Sequence, residues 1–315
     1  VPITNAQAAQ FGLLVAAAEA MFDRGGAPIH GSLTPPAAPG VTAAGWMIVA
    51  YITGQDTVLR AGPLRMAPET VFYGFVAQRA VGEFVAAIRG TESFVEWCED
   101  GLFVAMPYRT PVALTGPPDP VLVEQGFFAL YESMALVDPS GAPLGPLVAG
   151  VAALVGMGAI TVVGHSLGSA LASYLTLDLA RGDLGQRASA CLFASPHPGN
   201  AAFARLFDSS VTYYRLFNYI LDIVPRTPLG PDYSPLPRRT VLTPANAEAI
   251  IRTSILCNHH VACYCAMLDV ENTMAAIGPG DACSATGAPC IIGPEMGNPT
   301  IAKRLVTDLA GVIPV

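Results

Sequence analysis

A serine can act as a nucleophile when the backbone holds its hydroxyl clear of the chain and a base stands beside it. Gly164-His165-Ser166-Leu167-Gly168 has the composition for the first requirement. Apolar and β-branched residues precede it (160–163, ITVV), and small residues and helix formers follow (169–180, SALASYLTLDLA). That pattern predicts a strand, a sharp turn and a helix, with Ser166 at the apex. The flanking glycines fit a turn in which the backbone packs too closely for a Cβ. Leu167 then falls at a helix start, where its amide can donate to a developing oxyanion.

A serine also needs a base, and the base needs a carboxylate to orient it. In folds with this kind of serine turn the chain order is serine, carboxylate, histidine. After Ser166 the histidines are His197, His259 and His260. Among the carboxylates that follow Ser166, Asp222 stands apart. It follows a predicted strand and lies in the apolar run Leu221-Asp222-Ile223-Val224-Pro225, where a carboxylate requires a partner. Residues 258–261 read as a turn entering a helix, so only one of the adjacent side chains His259 and His260 can face the serine. The residues alone leave open which of the two it is. Chain order argues against His197 as base, and His165 fills a packing slot in the turn.

These residues need a scaffold. The sequence predicts helices at 5–22 (started by Thr4 or Asn5), 94–101, 124–137, 146–156, 169–180, 244–253, 260–270 and near 300–311. Strands are expected at 46–53, 71–78, 83–88, 160–163, 188–194 and 212–217, with loops at 107–120 and 225–240. Strands alternating with helices in the second half give a parallel sheet, and the paired strands before residue 90 give it an antiparallel start. One domain over residues 1–315 is expected. The connector 92–110 carries Phe94, Val95, Trp97, Phe103, Val104 and Met106, which makes it a candidate lid.

At this point the chain resembles the class 3 lipases, typified by fungal triacylglycerol lipases and plant phospholipases A1. The resemblance is carried by Arg89-Gly90-Thr91 with Trp97, by Gly126-Phe127 with Tyr131, and by the serine turn at 164–168. Residues 195–200 with Phe203, and Arg215, Asn218 and Asp222-Ile223-Val224-Pro225, complete it. Ser169 stands where the family often has a second glycine, and His197 where it has arginine. The resemblance implies an α/β-hydrolase fold, with a mostly parallel central sheet, flanking helices and a lid. It implies hydrolysis of carboxylic esters of acylglycerol lipids, with Ser166, Asp222 and His259 as triad and the amides of Thr91 and Leu167 as oxyanion donors. Short-chain esterase and phospholipase A1 activity are the alternatives.

Composition sets limits on partners. Of 315 residues 52% are hydrophobic and 13% charged, with mean hydropathy +0.47. No apolar run reaches the ~18 residues that suggest a membrane span. The excess apolar surface belongs in a core or on a patch facing an oil–water interface. A net charge of −8 without a basic stripe argues against nucleic acid. The reaction needs no cofactor and no metal. A rival reading takes Cys257, His259, His260, Cys263 and Cys265 as a zinc set, although no second Cys or His pair completes the usual spacing. A non-catalytic binding relative is another. Seven cysteines lean toward a secreted protein, as does a start at Val1-Pro2 without a basic leader. Cys283 and Cys290 bracket a short loop and are the expected disulfide, and Cys191, in a predicted buried strand, is the expected thiol.

Overall fold

The chain enters the fold as helix α1 (Asn5–Gly25), opened by a reciprocal cap between Thr4 and Gln7. In the computed structural model the described residues are 2–25, 38–56, 69–90, 103–110, 119–277, 284–285 and 288–292. After a short helix α2 (Pro39–Ala43) come strands β1 (Met47–Asp56), β2 (Glu69–Ala80), β3 (Glu83–Ile88), β4 (Ala105–Pro107) and β5 (Leu122–Glu124). Helix α3 (Gln125–Glu132) leads to β6 (Ala135–Val137) and β7 (Pro143–Pro146), and then to α4 (Leu147–Val155). Strand β8 (Ala159–His165) and helix α5 (Leu167–Arg181) carry the serine between them. Strand β9 (Ala188–Phe193), helix α6 (Ala201–Ser210), β10 (Tyr214–Tyr219) and β11 (Arg239–Leu242) follow. Helices α7 (Ile255–His259), α8 (Val261–Leu268) and α9 (Val270–Ile277) come next.

Among the described residues nine strands make one sheet in the order β11-β10-β9-β8-β3-β2-β1-β6-β7. From β3 to β11 the neighbours are parallel. From β3 to β7 they are antiparallel. The antiparallel part is therefore half of the sheet and not only its start. Side chains alternate between two cores, as the strand period requires. Val162, Ala86, Ile88, Leu192 and Leu216 face a core closed by α3 to α6. Val163, Val85, Ala87, Phe193 and Phe217 face a second core closed by α1, α2, α7 and α8.

Several expectations are corrected. The helix expected over 124–137 ends at Glu132, and Ala135–Val137 is a strand because it pairs with Tyr51, Ile52 and Thr53 of β1. No helix spans 244–253. Asn246 folds a turn back onto Thr243, and Ile251 then bridges Ile291. The loop expected over 225–240 ends early, because Arg239 onward pairs in parallel with β10. The helices expected at 94–101 and 300–311, together with Thr91, Cys98 and Cys283, lie outside the described residues.

The disulfide is also corrected. Cys290 is bonded to Cys257, 33 residues away and with 5.2 Å between Cα atoms, not to Cys283. The reason is a non-local pairing: Arg252 N–H donates to Cys290 O and Ile292 N–H to Ile250 O, which seats Cys290 against α7. Cys191, expected as a thiol, is one, buried in β9; Cys263 and Cys265 are also buried thiols.

Across the sheet from this disulfide, Asp178 of α5 is buried with three hydroxyl donors. Tyr131 donates at 2.6 Å, Thr110 at 3.0 Å, and Tyr108 closes the group. Burial pushes Asp178 up, against the pull of these hydroxyls. The cluster ties the 103–110 segment to the helix that carries the serine.

Asp178→Ala removes the acceptor shared by those hydroxyls. It is expected to lower unfolding free energy by about 3–5 kcal/mol, measured by urea titration. Cys290→Ser opens the Cys257 loop and is expected to cost about 3–4 kcal/mol. Peptide mapping of unreduced protein should recover Cys257 linked to Cys290.

Candidate active site

The serine turn is built from close backbone packing. Ser166 has φ +59°, a left-handed value that L side chains rarely adopt. A Cβ on Gly164 would come within 2.2 Å of Gly168 O, and one on Gly168 within 2.4 Å of Ile88 O and Arg89 O. Glycine at both positions is therefore a steric requirement, and β8, α5 and the end of β3 lock together around the serine. Ser166 N–H donates to Phe193 O at 3.1 Å, which ties the apex to β9.

Strand β10 delivers the carboxylate. Asp222 lies just beyond it, in a turn whose N–H donates to Tyr219 O at 3.0 Å. Its side chain is buried, and Oδ1 accepts the Val224 N–H at 3.0 Å. The histidine comes from the junction of α7 and α8. Ser254 caps α7 by accepting the Cys257 N–H at 3.1 Å. At the other end His260 caps α8, with Nδ1 accepting the Ala262 N–H at 3.1 Å. Adjacent histidines thus take opposite directions: His260 turns to the helix start and His259 turns to the site. Asn258 Nδ2 donates to Leu221 O at 3.1 Å, fixing this junction beside the Asp222 turn.

The three side chains meet in one line. His259 Nδ1 lies 2.8 Å from Asp222 Oδ2, and His259 Nε2 lies 2.8 Å from Ser166 Oγ. An ionised carboxylate only accepts, so Nδ1 carries the proton and Nε2 is free to accept from the serine hydroxyl. Ser166, Asp222 and His259 are 1%, 1% and 9% exposed, so the line is shielded from water. Leu167 is the first residue of α5, where helix-start amides have no acceptor within the helix. Thr91 lies outside the described residues, and Gly90 before it sits against the serine: a Cβ there would be 3.0 Å from Ser166 Cβ.

Tyr264 is a site residue that sequence reasoning passed over, since only the position of its ring was used. Its hydroxyl donates to Asp222 Oδ2 at 2.8 Å and accepts the Tyr219 N–H at 2.9 Å. Burial and the neighbouring Asp222 charge hold this phenol well above the ordinary tyrosine range, so it remains a donor. Asp222 thus receives three hydrogen bonds from three segments. The zinc reading loses its ligands to other bonds: Cys257 is in the disulfide and His259 is bonded to Asp222 and Ser166. Among the described residues no cluster of His, Cys, Asp and Glu has a metal-binding arrangement. His197 turns away, with Nδ1 2.9 Å from Pro228 O.

Comparison with known proteins places this geometry. Residues 85–231 match the model of the family described as Lipase (class 3). Phospholipase A1-II 6 of Oryza sativa subsp. japonica is 28% identical over 242 residues, covering 67% of this chain and 58% of the relative. Secreted mono- and diacylglycerol lipase A of Penicillium cyclopium is 34% identical over 145 residues, covering 46% of this chain and 43% of the relative. The chain therefore spans about half the length of these curated relatives. A solved structure of MDLA from Penicillium cyclopium overlays with a TM-score of 0.49 at 23% identity, over 75% of this chain and 79% of that one. The glycine-flanked serine lies inside the matched segment, so over residues 85–231 the chain is similar to the class 3 lipases.

Proposed function

We propose that this chain is a serine hydrolase that cleaves carboxylic esters of acylglycerol lipids through an acyl-enzyme. The observation that carries the reading is the 2.8 Å contact on each side of the His259 ring. Ser166 Oγ attacks the ester carbonyl as its proton passes to His259 Nε2. Asp222 holds the ring in the required tautomer and offsets the charge of the imidazolium. The tetrahedral oxyanion is held by the Leu167 amide, with Thr91 proposed as the second donor. The imidazolium returns its proton to the leaving alcohol. Water then attacks the acyl-enzyme with His259 again as base, and no cofactor enters the sequence.

A lipid partner is supported by the surface beside the site. Ile223 adjoins Asp222, while Ile255 and Leu256 (51% and 59% exposed) lie one helical turn before His259. Burial of Ser166 supports a covering segment; of the candidate lid 92–110, residues 92–102 lie outside the described residues and 103–110 are held by the Asp178 cluster. The rice relative named as a phospholipase A1 favours a second reading, in which the ester belongs to a phospholipid. Both readings share the acyl ester and differ in the headgroup. Secreted relatives and the disulfide support an extracellular setting.

Ser166→Ala is expected to reduce hydrolysis of p-nitrophenyl butyrate by roughly 10⁴-fold or more with an unchanged circular dichroism spectrum. Retained turnover would end this reading. Rates on emulsified tributyrin and on phosphatidylcholine vesicles separate lipase from phospholipase. Tyr264→Phe removes one of three bonds to Asp222, and a kcat loss of about tenfold is expected at nearly constant KM.

A further inference from the structure

Beside the His259 ring stands another imidazole, and next to that imidazole a carboxylate. His165 follows Val163 on the same face of β8 and so points toward the core shared with α1, opposite to the face that holds Leu167. Its ring centroid lies 4.7 Å from that of His259, with the planes 37° apart, and the edge of Tyr264 closes the pocket at 5.9 Å. His165 Nδ1 is 3.5 Å from Glu19 Oε1 of α1, with the histidine side chain 5% and the carboxylate 28% exposed. One turn further along α1, the Phe22 ring lies 3.6 Å from the Arg89 guanidinium, so helix α1 covers this whole region.

The protonation states follow from these neighbours. Burial pushes His165 down, against the upward pull of Glu19, and keeps it neutral. Burial would raise Glu19, but His165, His260 and Arg89 outweigh it and hold the carboxylate below its usual range. The groups facing His165 are thus Glu19 from α1, His259 from α7, Asp222 beyond β10 and Tyr264 from α8. Arg89, His260 and the buried Cys265 thiol of α8 also act on Glu19. Glu19 offsets the charge of Arg89. When His259 takes the serine proton, the cluster gains a positive charge within a region of low dielectric.

We propose that Glu19 and His165 form an outer carboxylate–imidazole pair acting through His259, in which the Glu19 carboxylate stabilises the imidazolium formed as Ser166 attacks. Glu19 is a positioning residue in this scheme, and the scheme rests on the Ser166, Asp222 and His259 assignment. The His165 ring is the spacer: it packs against His259 on one side and meets the Glu19 carboxylate at its Nδ1 edge, so the charge acts on His259 from beyond that ring.

The test is the pH dependence of kcat/KM for p-nitrophenyl butyrate in wild type, Glu19→Gln, Glu19→Asp and Glu83→Gln. Glu83 stands at the far end of β3 and serves as a control for net charge. Removing the Glu19 charge makes the His259 imidazolium easier to deprotonate. The acidic limb of Glu19→Gln should therefore move to lower pH by roughly half a unit or more. Plateau kcat should fall several-fold. Glu19→Asp keeps the charge at a shorter reach and should move less in the same direction, and Glu83→Gln should overlay wild type. An acidic limb in Glu19→Gln that overlays wild type, or moves to higher pH, overturns the proposal, even if melting temperature falls. Should Glu19→Gln not fold, Glu19→Asp decides on the same limb. An unshifted limb alongside an inactive Ser166→Ala retires the outer pair alone, whereas an active Ser166→Ala retires the triad assignment itself.

Discussion

The left-handed backbone of Ser166 is the constraint on which the rest of the site depends. A residue with a side chain holds that conformation only where surrounding contacts leave it no alternative. Here those contacts are backbone against backbone: Gly168 on the carbonyls of Ile88 and Arg89, and Gly164 on Gly168 itself. The strain sits at the C-terminal end of β8, between two parallel neighbours. The hydroxyl is therefore held in place by the backbone, and its partners need only be brought to it.

Those partners come from distant parts of the chain, and each is held by bonds that do no chemistry. Val224 and Tyr264 share Asp222 with His259, so the carboxylate is oriented by two donors besides the imidazole. Asn258 ties the histidine segment to Leu221, and the cap made by His260 turns its neighbour toward the serine. The Cys257–Cys290 bond lies two residues before His259 and anchors α7 to the segment around residue 290. Each of these hydrogen bonds alone is worth about 1 kcal/mol. In the proposed reaction, they would together remove rotational freedom that otherwise has to be lost in reaching the transition state.

Where sequence reasoning went astray, the deciding contact was non-local. Ala135-Leu136-Val137 continues a helical pattern from α3, and nothing within it marks a strand. It becomes one because β1 presents Tyr51, Ile52 and Thr53 to it. Cys283 is near Cys290 in sequence, yet Cys290 pairs with Cys257 because the Ile251–Ile291 bridge brings that segment alongside α7. Tyr264 was legible as an aromatic at a suitable distance from the histidines, while the reach of its hydroxyl to Asp222 was not. Glu19, near the other end of the chain, carried no local signal at all.

By itself the sequence determined the serine turn, the order of serine, carboxylate and histidine, and the strand–helix alternation that supports them. These rest on short-range sterics: the absence of Cβ at two glycines, the period of side chains along a strand, and helix caps a few residues long. Tertiary structure alone decided which of His259 and His260 faces the serine, what else holds Asp222, which cysteine closes the loop, and that α1 brings a carboxylate up behind His165. Those outcomes depend on distances between segments far apart in the chain, and such distances are fixed only when the two cores pack against the sheet.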